Sequence, residues 1–269
     1  MLCSMPELID THCHLDAAEF DGTQGAVVGR ARAAGVAQIV VPAVAADNFD
    51  AVLALRSRYG CPVALGLHPI YLNQHTAAHL ALLDNLLEAE RPVAVGEIGL
   101  DFWQEGLDPA QQEALLAAQL KLARRHDLPV LLHVRRAQDR VLKYLRQYPV
   151  PGGIAHAFNG SVQQAEAFIA LGFCLGFGGA MSYSGSTRIR QLAATLPLDA
   201  LVLETDAPDM RPEWAQGVPN EPANVAHYAT LLASLRGVPL DTIAEITSQN
   251  AKRVLRLSAA APVDLGKPV

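Results

Sequence analysis

The sequence predicts an α/β fold, a (β/α)8 TIM barrel built as a single domain, and three observations support that expectation. Short apolar segments of strand length recur along the chain, each followed by a stretch whose apolar residues have helical spacing. No linker or shift in composition divides the 269 residues, a length that such barrels use as one domain. Metal-capable side chains stand where the apolar segments end, which is where a barrel places its chemistry.

The elements follow in order. The first strand is expected at Leu8–His12, then a helix over Gly25–Ala34 that stops at Gly35. Strand Gln38–Pro42 precedes helix Asp47–Tyr59, and strand Val63–Leu67 precedes helix Ala77–Glu90. Strand Val93–Gly96 is followed by helix Pro109–His126, which Asp108 caps and Pro109 starts. Strand Val130–His133 leads to helix Ala137–Gln147, and strand Gly153–His156 to helix Ser161–Leu171, with Gly172 as its stop. Strand Phe173–Phe177, helix Thr187–Thr195 and strand Leu201–Thr205 complete the alternation. Helices near Ala223–Leu235 and Leu240–Leu257 close the chain. The barrel is expected over residues 1–257, with 258–269 a small, proline-bearing tail. An open, doubly wound sheet shares this periodicity and is the alternative.

Composition bounds the function. Half of the residues are hydrophobic and 18% are charged, as in a globular protein. A net charge of −6 argues against a non-specific nucleic-acid coat, which needs a basic surface, but not against an enzyme with a positive cleft. Cys3, Cys13, Cys61 and Cys174 form no CxxC pair, so reduced thiols in a cytoplasmic protein are expected. No signal peptide and no membrane span is expected. A monomer without an obligate protein partner is expected as well.

The strand ends carry the chemistry. His12 and His14 lie two residues apart, on one face if the strand runs that far, and Cys13 then points away as a small buried hydrophobe. Gly66-Leu67-His68-Pro69, Gly96-Glu97-Ile98-Gly99-Leu100-Asp101, His133, His156 and Glu204-Thr205-Asp206 follow other apolar segments. A lone histidine after an apolar run is usually a hydrogen-bonded core residue. That reading fails jointly, because five of the nine histidines fall at such positions, while His75, His79, His126 and His227 do not. Four imidazoles (His12, His14, His133, His156) and two carboxylates (Glu97, Asp206) exceed what one tetrahedral metal needs, so two divalent ions are expected. A carboxylate must bridge the pair. Glu97 is placed for that, since none of Lys121, Lys143, Lys252 and Lys267 ends a strand to serve as a carboxylated bridge. Mixed nitrogen and oxygen ligands suit Zn²⁺ and Mn²⁺, with Mg²⁺ preferring oxygen and water.

These motifs, in this order and over nearly the whole chain, resemble the TatD family of metal-dependent deoxyribonucleases, within the amidohydrolase-like barrels. The resemblance rests on Asp10-Thr11-His12-Cys13-His14-Leu15-Asp16, Gly66-Leu67-His68-Pro69, Gly96 to Asp101, Leu131-Leu132-His133, His156-Ala157-Phe158 and Leu203 to Pro208. Pro208-Asp209-Met210 looks closest to the YjjV-like branch. The resemblance implies a first metal held by His12, His14, Glu97 and Asp206, and a second by Glu97, His133 and His156. It implies phosphodiester hydrolysis, in some members 3′→5′ exonuclease action on single-stranded DNA.

Within that expectation Glu97 and Asp206 are catalytic, with Asp206 taking the proton of the attacking water. His68 and Arg135 are candidate donors to a phosphate oxygen, and Asn220 a candidate substrate contact. Many TatD-like nucleases carry a basic residue just before an Asn-Glu-Pro segment. Here Gly217-Val218-Pro219 precedes Asn220, and Arg211 is the nearest substitute. Phe102 and Trp103 can stack on a base or pack on the rim. Asp10 and Glu204 share the alternation of the ligands and can each orient an imidazole or be satisfied by backbone. Hydrolysis of an amide, lactone or phosphotriester and a non-catalytic metal-binding scaffold are the competing readings.

Overall fold

The structure, a computed structural model, describes residues 7–258. Its strands are β1 (Leu8–Asp10), β2 (Val36–Ile39), β3 (Val41–Pro42), β4 (Val63–Leu65), β5 (Ala94–Asp101), β6 (Val130–Arg135), β7 (Gly153–Ala155), β8 (Phe173–Phe177) and β9 (Leu201–Leu203). All pair in parallel, β1 with β2 and then β3 through β9 in chain order. Only Val40 separates β2 from β3, so the two occupy one of eight positions in the wall. The ring closes past the ends of β9 and β1. Thr11 N–H donates to Leu203 O at 3.1 Å, Asp206 N–H donates to His12 O at 2.8 Å, and Cys13 bridges to Ala207.

Strand alternation sorts the buried apolar residues into two layers. Ile9, Val40, Ala64, Ala94, Leu131, Ile154, Cys174 and Val202, one from each position of the wall, meet inside the barrel. Their sequence neighbours, among them Leu8, Val41, Leu65, Val95, Leu132, Ala155, Leu175 and Leu203, pack outward under the helices. Ala251, Val254 and Leu255 join the inner cluster. They bring α9 (Leu240–Val254) under the start of the strands, where Asn250 Nδ2 donates to Leu201 O and Ser248 Oγ to Glu7 O. The opposite mouth is left for polar groups.

The surrounding helices are α1 (Gln24–Ala33), α2 (Phe49–Tyr59), α3 (Ala77–Glu90), α4 (Pro109–Arg125), α5 (Gln138–Gln147), α6 (Val162–Ala170), α7 (Thr187–Thr195) and α8 (Val225–Arg236). Asp108 caps α4 by accepting from Ala110 N–H, and Ser161 with Gln164 forms a capping box on α6. Gly35 and Gly172, with φ of +88° and +85°, turn the chain after α1 and α6.

Strand ends depart from expectation in both directions. β1 stops at Asp10 instead of reaching His12, because the Asp10 carboxylate accepts the His12 N–H and takes that donor from the ladder. β5 runs to Asp101 and β6 to Arg135, since polar residues facing the barrel mouth hide strand continuation from an apolar pattern. The expected tail lies outside the described residues apart from Ser258. No helix among the described residues is long and apolar enough to cross a membrane.

Candidate metal centre

The inner layer continues upward in steps of two. Leu131 is followed on the same face by His133, Ile154 by His156, and Val202 by Glu204. Asp206 comes next, past the strand end and in left-handed conformation at φ +55°. Glu97 enters differently. The β5–β6 register shifts between Val95 and Ile98, which takes Glu97 out of simple alternation. His12 and His14 stand beyond β1, held by the ring-closing bonds. Cys13 between them packs in the outer apolar layer, as alternation expects.

Glu97 is the hub. Its Oε2 lies 3.1 Å from His12 Nε2 and 3.5 Å from His14 Nε2. Its Oε1 lies 3.1 Å from His133 Nδ1, 3.3 Å from His68 Nε2 and 3.7 Å from His156 Nε2. Asp206 Oδ1 sits 3.5 Å from His14 Nε2 and 3.8 Å from His12 Nε2, and its Oδ2 lies 3.9 Å from His156 Nε2. Three sets of ligand atoms are near enough to share an ion: His12, His14 and Glu97; His12, His156 and Asp206; His68, Glu97 and His133. The expected residues are thus brought together. The partition is less clean than the resemblance implies, because His156 also stands with His12, its ring stacked at 3.9 Å between centroids.

The electrostatics fit a cation. Burial opposes the charged form of Glu97, yet the His68 and His12 imidazoles outweigh it and hold the carboxyl well below the usual range. Asp206 is likewise held at about 2 against burial, chiefly by His156 and His14. His156 rises to about 10 against burial because Asp206 and Glu204 face it. Buried carboxylates need a positive partner, and a divalent ion that displaces the imidazole protons would supply that charge to these. His12 Nδ1 and Glu204 Oε2 are buried with no hydrogen-bond partner within the protein.

Further carboxylates orient the imidazoles from behind. Asp101 Oδ2 lies 2.9 Å from His133 Nε2, so the ring presents Nδ1 to Glu97. Asp101 itself is fixed by the N–H groups of Trp103 and Gln104. Its role went unread in the sequence, although it closes the Gly96 to Asp101 motif at the spacing of one strand. Glu204 Oε1 lies 3.2 Å from His156 Nδ1 and accepts the Ala157 N–H, so this imidazole presents Nε2. Glu204 fits only because residue 176 is glycine: a Cβ there would sit 2.0 Å from its Oε2. Asp10 touches no imidazole. It accepts the backbone N–H groups of His12 and Thr205 and the Thr205 hydroxyl, and so holds the seam of the barrel.

The candidate substrate contacts separate. His68 Nδ1 accepts the Ile70 N–H, which leaves the neutral ring's one hydrogen on Nε2, directed at Glu97 rather than outward. Burial pushes His68 down to about 4, so it is a neutral donor. In that tautomer it has no lone pair for a metal. Asn220 is corrected outright. It is fully buried, donating to Thr205 O and Met210 O and accepting from Glu221 N–H and Asn224, so it organises a loop and has no donor left for substrate. Arg135 lines a cavity of about 810 Å³ above His133, His156 and Asp206. Phe102 packs against the core, whereas Trp103 is 47% exposed in that cavity. Arg211 lines a different, shallower cavity beside Tyr183 and Asp209.

The family described as "TatD related DNase" matches residues 9–256. The chain belongs to the TatD family. It is 46% identical over 255 residues to the metal-dependent hydrolase YjjV of Escherichia coli K12, covering 93% of this chain and 97% of that one. The crystal structure of YjjV superposes with a TM-score of 0.91 at 43% identity, over 94% of this chain and all of that one. A TatD protein of Erwinia billingiae described as a 3′-5′ ssDNA/RNA exonuclease is 32% identical over 261 residues, 94% of this chain and 100% of that one. As a TatD-family protein the chain is a metal-dependent hydrolase, and the barrel closed around Glu97 is the fold of that family.

Proposed function

We propose that the chain hydrolyses phosphodiester bonds of single-stranded nucleic acid at two divalent-metal sites that share Glu97. One observation carries the reading: Glu97 offers Oε2 to His12 and His14 and Oε1 to His133, one oxygen to each of two imidazole sets. When bound, the ions lower the pKa of a coordinated water and offset charge on the phosphoryl oxygens. The protein's own groups do the rest. His12 and His14 face Glu97 and Asp206, while His133 and His156 are held in the ligating orientation by Asp101 and Glu204. Asp206, ionised throughout the neutral range, borders the cavity and accepts the hydrogen of a water aimed at phosphorus. His68 steadies Glu97 through Nε2–H. Arg135, at the open end of β6, lines the cavity and in this reading neutralises a phosphate oxygen. The exonuclease description of the Erwinia relative supports nucleic acid as the substrate.

The test is a substrate panel with chelated, Mg²⁺, Mn²⁺ and Zn²⁺ protein. A labelled single-stranded oligonucleotide and a simple phosphodiester are set against a lactone and an amide. Metal-dependent cleavage of the first two is expected, lost by at least about a hundredfold in Glu97→Gln and Asp206→Ala while the fold survives. Cleavage of the lactone or amide alone would overturn the reading.

A further inference from the structure

The cavity above the metal centre is larger than one diester needs. At about 810 Å³ it lies toward the upper end of the ~300–1,000 Å³ range of small-ligand pockets. Its lining carries Arg135 and Arg136, at the end of β6, and Arg188, in the first turn of α7. Five other arginines (Arg30, Arg56, Arg125, Arg140 and Arg256) face a carboxylate, while others such as Arg32 and Arg236 bond to backbone carbonyls instead. None of the three wall arginines has a carboxylate partner among the described residues. In a chain of net charge −6, this wall concentrates uncompensated positive charge beside the reacting centre.

The wall is also built. The Arg136 guanidinium lies 3.7 Å from the centroid of the Trp103 ring, and Arg135 lies 5.2 Å from it. Arg188 donates from Nε and Nη2 to Asn159 Oδ1, at 3.1 and 2.5 Å. Arg136, Ala157 and Met210 hold left-handed backbone at φ +54°, +45° and +46°, as Asp206 does. Four of the seven non-glycine residues with left-handed backbone among the described residues thus line this one cavity. Side chains disfavour the conformation, and it persists where the surroundings demand it.

We infer that this wall is a second phosphate subsite. Arg136 and Arg188 take the phosphodiester next to the one that is cut, and Trp103 is a positioning residue that holds Arg136 in place. The subsite rests on the phosphodiester reading of the metal centre and gives it a length preference: a strand with two or more linkages is bound better than a lone diester. A guanidinium fork held on phosphate oxygens reads no sequence, so the preference is for backbone rather than sequence.

The experiment uses the full, metal-loaded chain with two substrates, bis(p-nitrophenyl) phosphate, which has one phosphate, and a labelled single-stranded pentanucleotide. Binding of the pentanucleotide is followed by fluorescence anisotropy over a salt series, alongside turnover. Arg136→Ala and Arg188→Ala are each expected to raise KM for the pentanucleotide roughly tenfold. Each lowers the slope of log affinity against log salt by roughly 0.7. Cleavage of the small diester stays within about twofold, because it has no second phosphate to lose. Arg136→Lys, which keeps the charge without the fork, recovers part of the loss. Trp103→Ala reproduces the Arg136→Ala defect, and the double variant adds little to either. Equal losses on both substrates, or an unchanged salt slope, would overturn the subsite. If the wild type binds the pentanucleotide through these arginines but cuts no phosphodiester, the metal-centre reading fails, and with it the subsite's place beside a cut bond, while phosphate binding by the arginines stands. If it cuts both substrates and ignores the arginines, the reverse holds.

Discussion

Glu204→Gln and Asp10→Asn are near-isosteric changes at two buried carboxylates, and the structure predicts opposite outcomes for metal binding. Glu204 Oε1 faces His156 Nδ1 at 3.2 Å and also takes the Ala157 N–H. Glutamine keeps the shape and an acceptor, but replaces a charge-assisted bond of about 1.5–3 kcal/mol by a neutral one of about 0.5–1.5 kcal/mol. The difference, about 1–1.5 kcal/mol, is roughly a tenfold loss of metal affinity, at the low end of the ~10- to 100-fold range for groups that orient metal ligands. Asp10 behaves otherwise. Burial pushes it up to about 8 despite hydrogen bonds from Thr205 and His12, so near neutral pH its carboxyl is already mostly protonated. Asparagine there replaces one neutral group by another and keeps the acceptor that faces the His12 and Thr205 N–H groups. Metal affinity should change by less than about twofold. Competition against a metallochromic chelator reads the affinity, and calorimetric melting of the same samples separates it from loss of fold. A tenfold loss in Asp10→Asn with none in Glu204→Gln would refute the assignment of roles.

Three other outcomes follow from the same geometry. Gly176→Ala puts a methyl 2.0 Å from Glu204 Oε2, so overpacking of about 1–3 kcal/mol should lower Tm by about 3–10 °C and weaken metal binding at least as much as Glu204→Gln; an unchanged protein by calorimetry and chelator competition would contradict the contact. Metal at about a hundred times its Kd should stabilise the fold by about 2.7 kcal/mol, raising Tm by about 5–10 °C over a chelated sample; coincident melting curves would argue that the site does not hold the ion tightly. Burial, only partly offset by Arg32, pushes the Cys61 thiol up to about 12, so at about pH 8 roughly one molecule in ten thousand carries the thiolate. Native Cys61 should therefore resist a thiol reagent that labels it at once in denaturant, and fast native labelling detected by mass spectrometry would contradict its burial.

Much of the barrel is legible in the chain because its strands are buried on both faces and read as short apolar runs. His133, His156, Glu204 and Asp206 are legible for the same reason, each continuing an inward alternation that starts at Leu131, Ile154 or Val202. His12 and His14 are singled out in the sequence by alternation, and the structure brings them to the cluster for a different reason. The strand ends at Asp10, and ring-closing hydrogen bonds, not alternation, aim the pair. Glu97 lies inside β5 rather than after it, and a register shift that no periodicity reveals brings it inward. Asn220 reads as a substrate contact because an exposed loop and a buried, fully bonded loop have the same turn-forming residues. The arginine wall is invisible in sequence because Arg136, just after β6, and Arg188, in α7, are far apart in the chain and only the closed barrel brings them to one cavity.

The central claim is that Glu97 joins two metal ions at the place where a phosphodiester is cut. Anomalous diffraction from crystals grown with Mn²⁺ or Zn²⁺ and a short oligonucleotide product tests it most directly. The account predicts two metal peaks, each bonded to one oxygen of Glu97, one also to His12 and His14 and the other to His133, with a phosphate oxygen between them. Metal peaks that leave Glu97 uncoordinated, or a nucleotide phosphate bound away from it, would contradict the account.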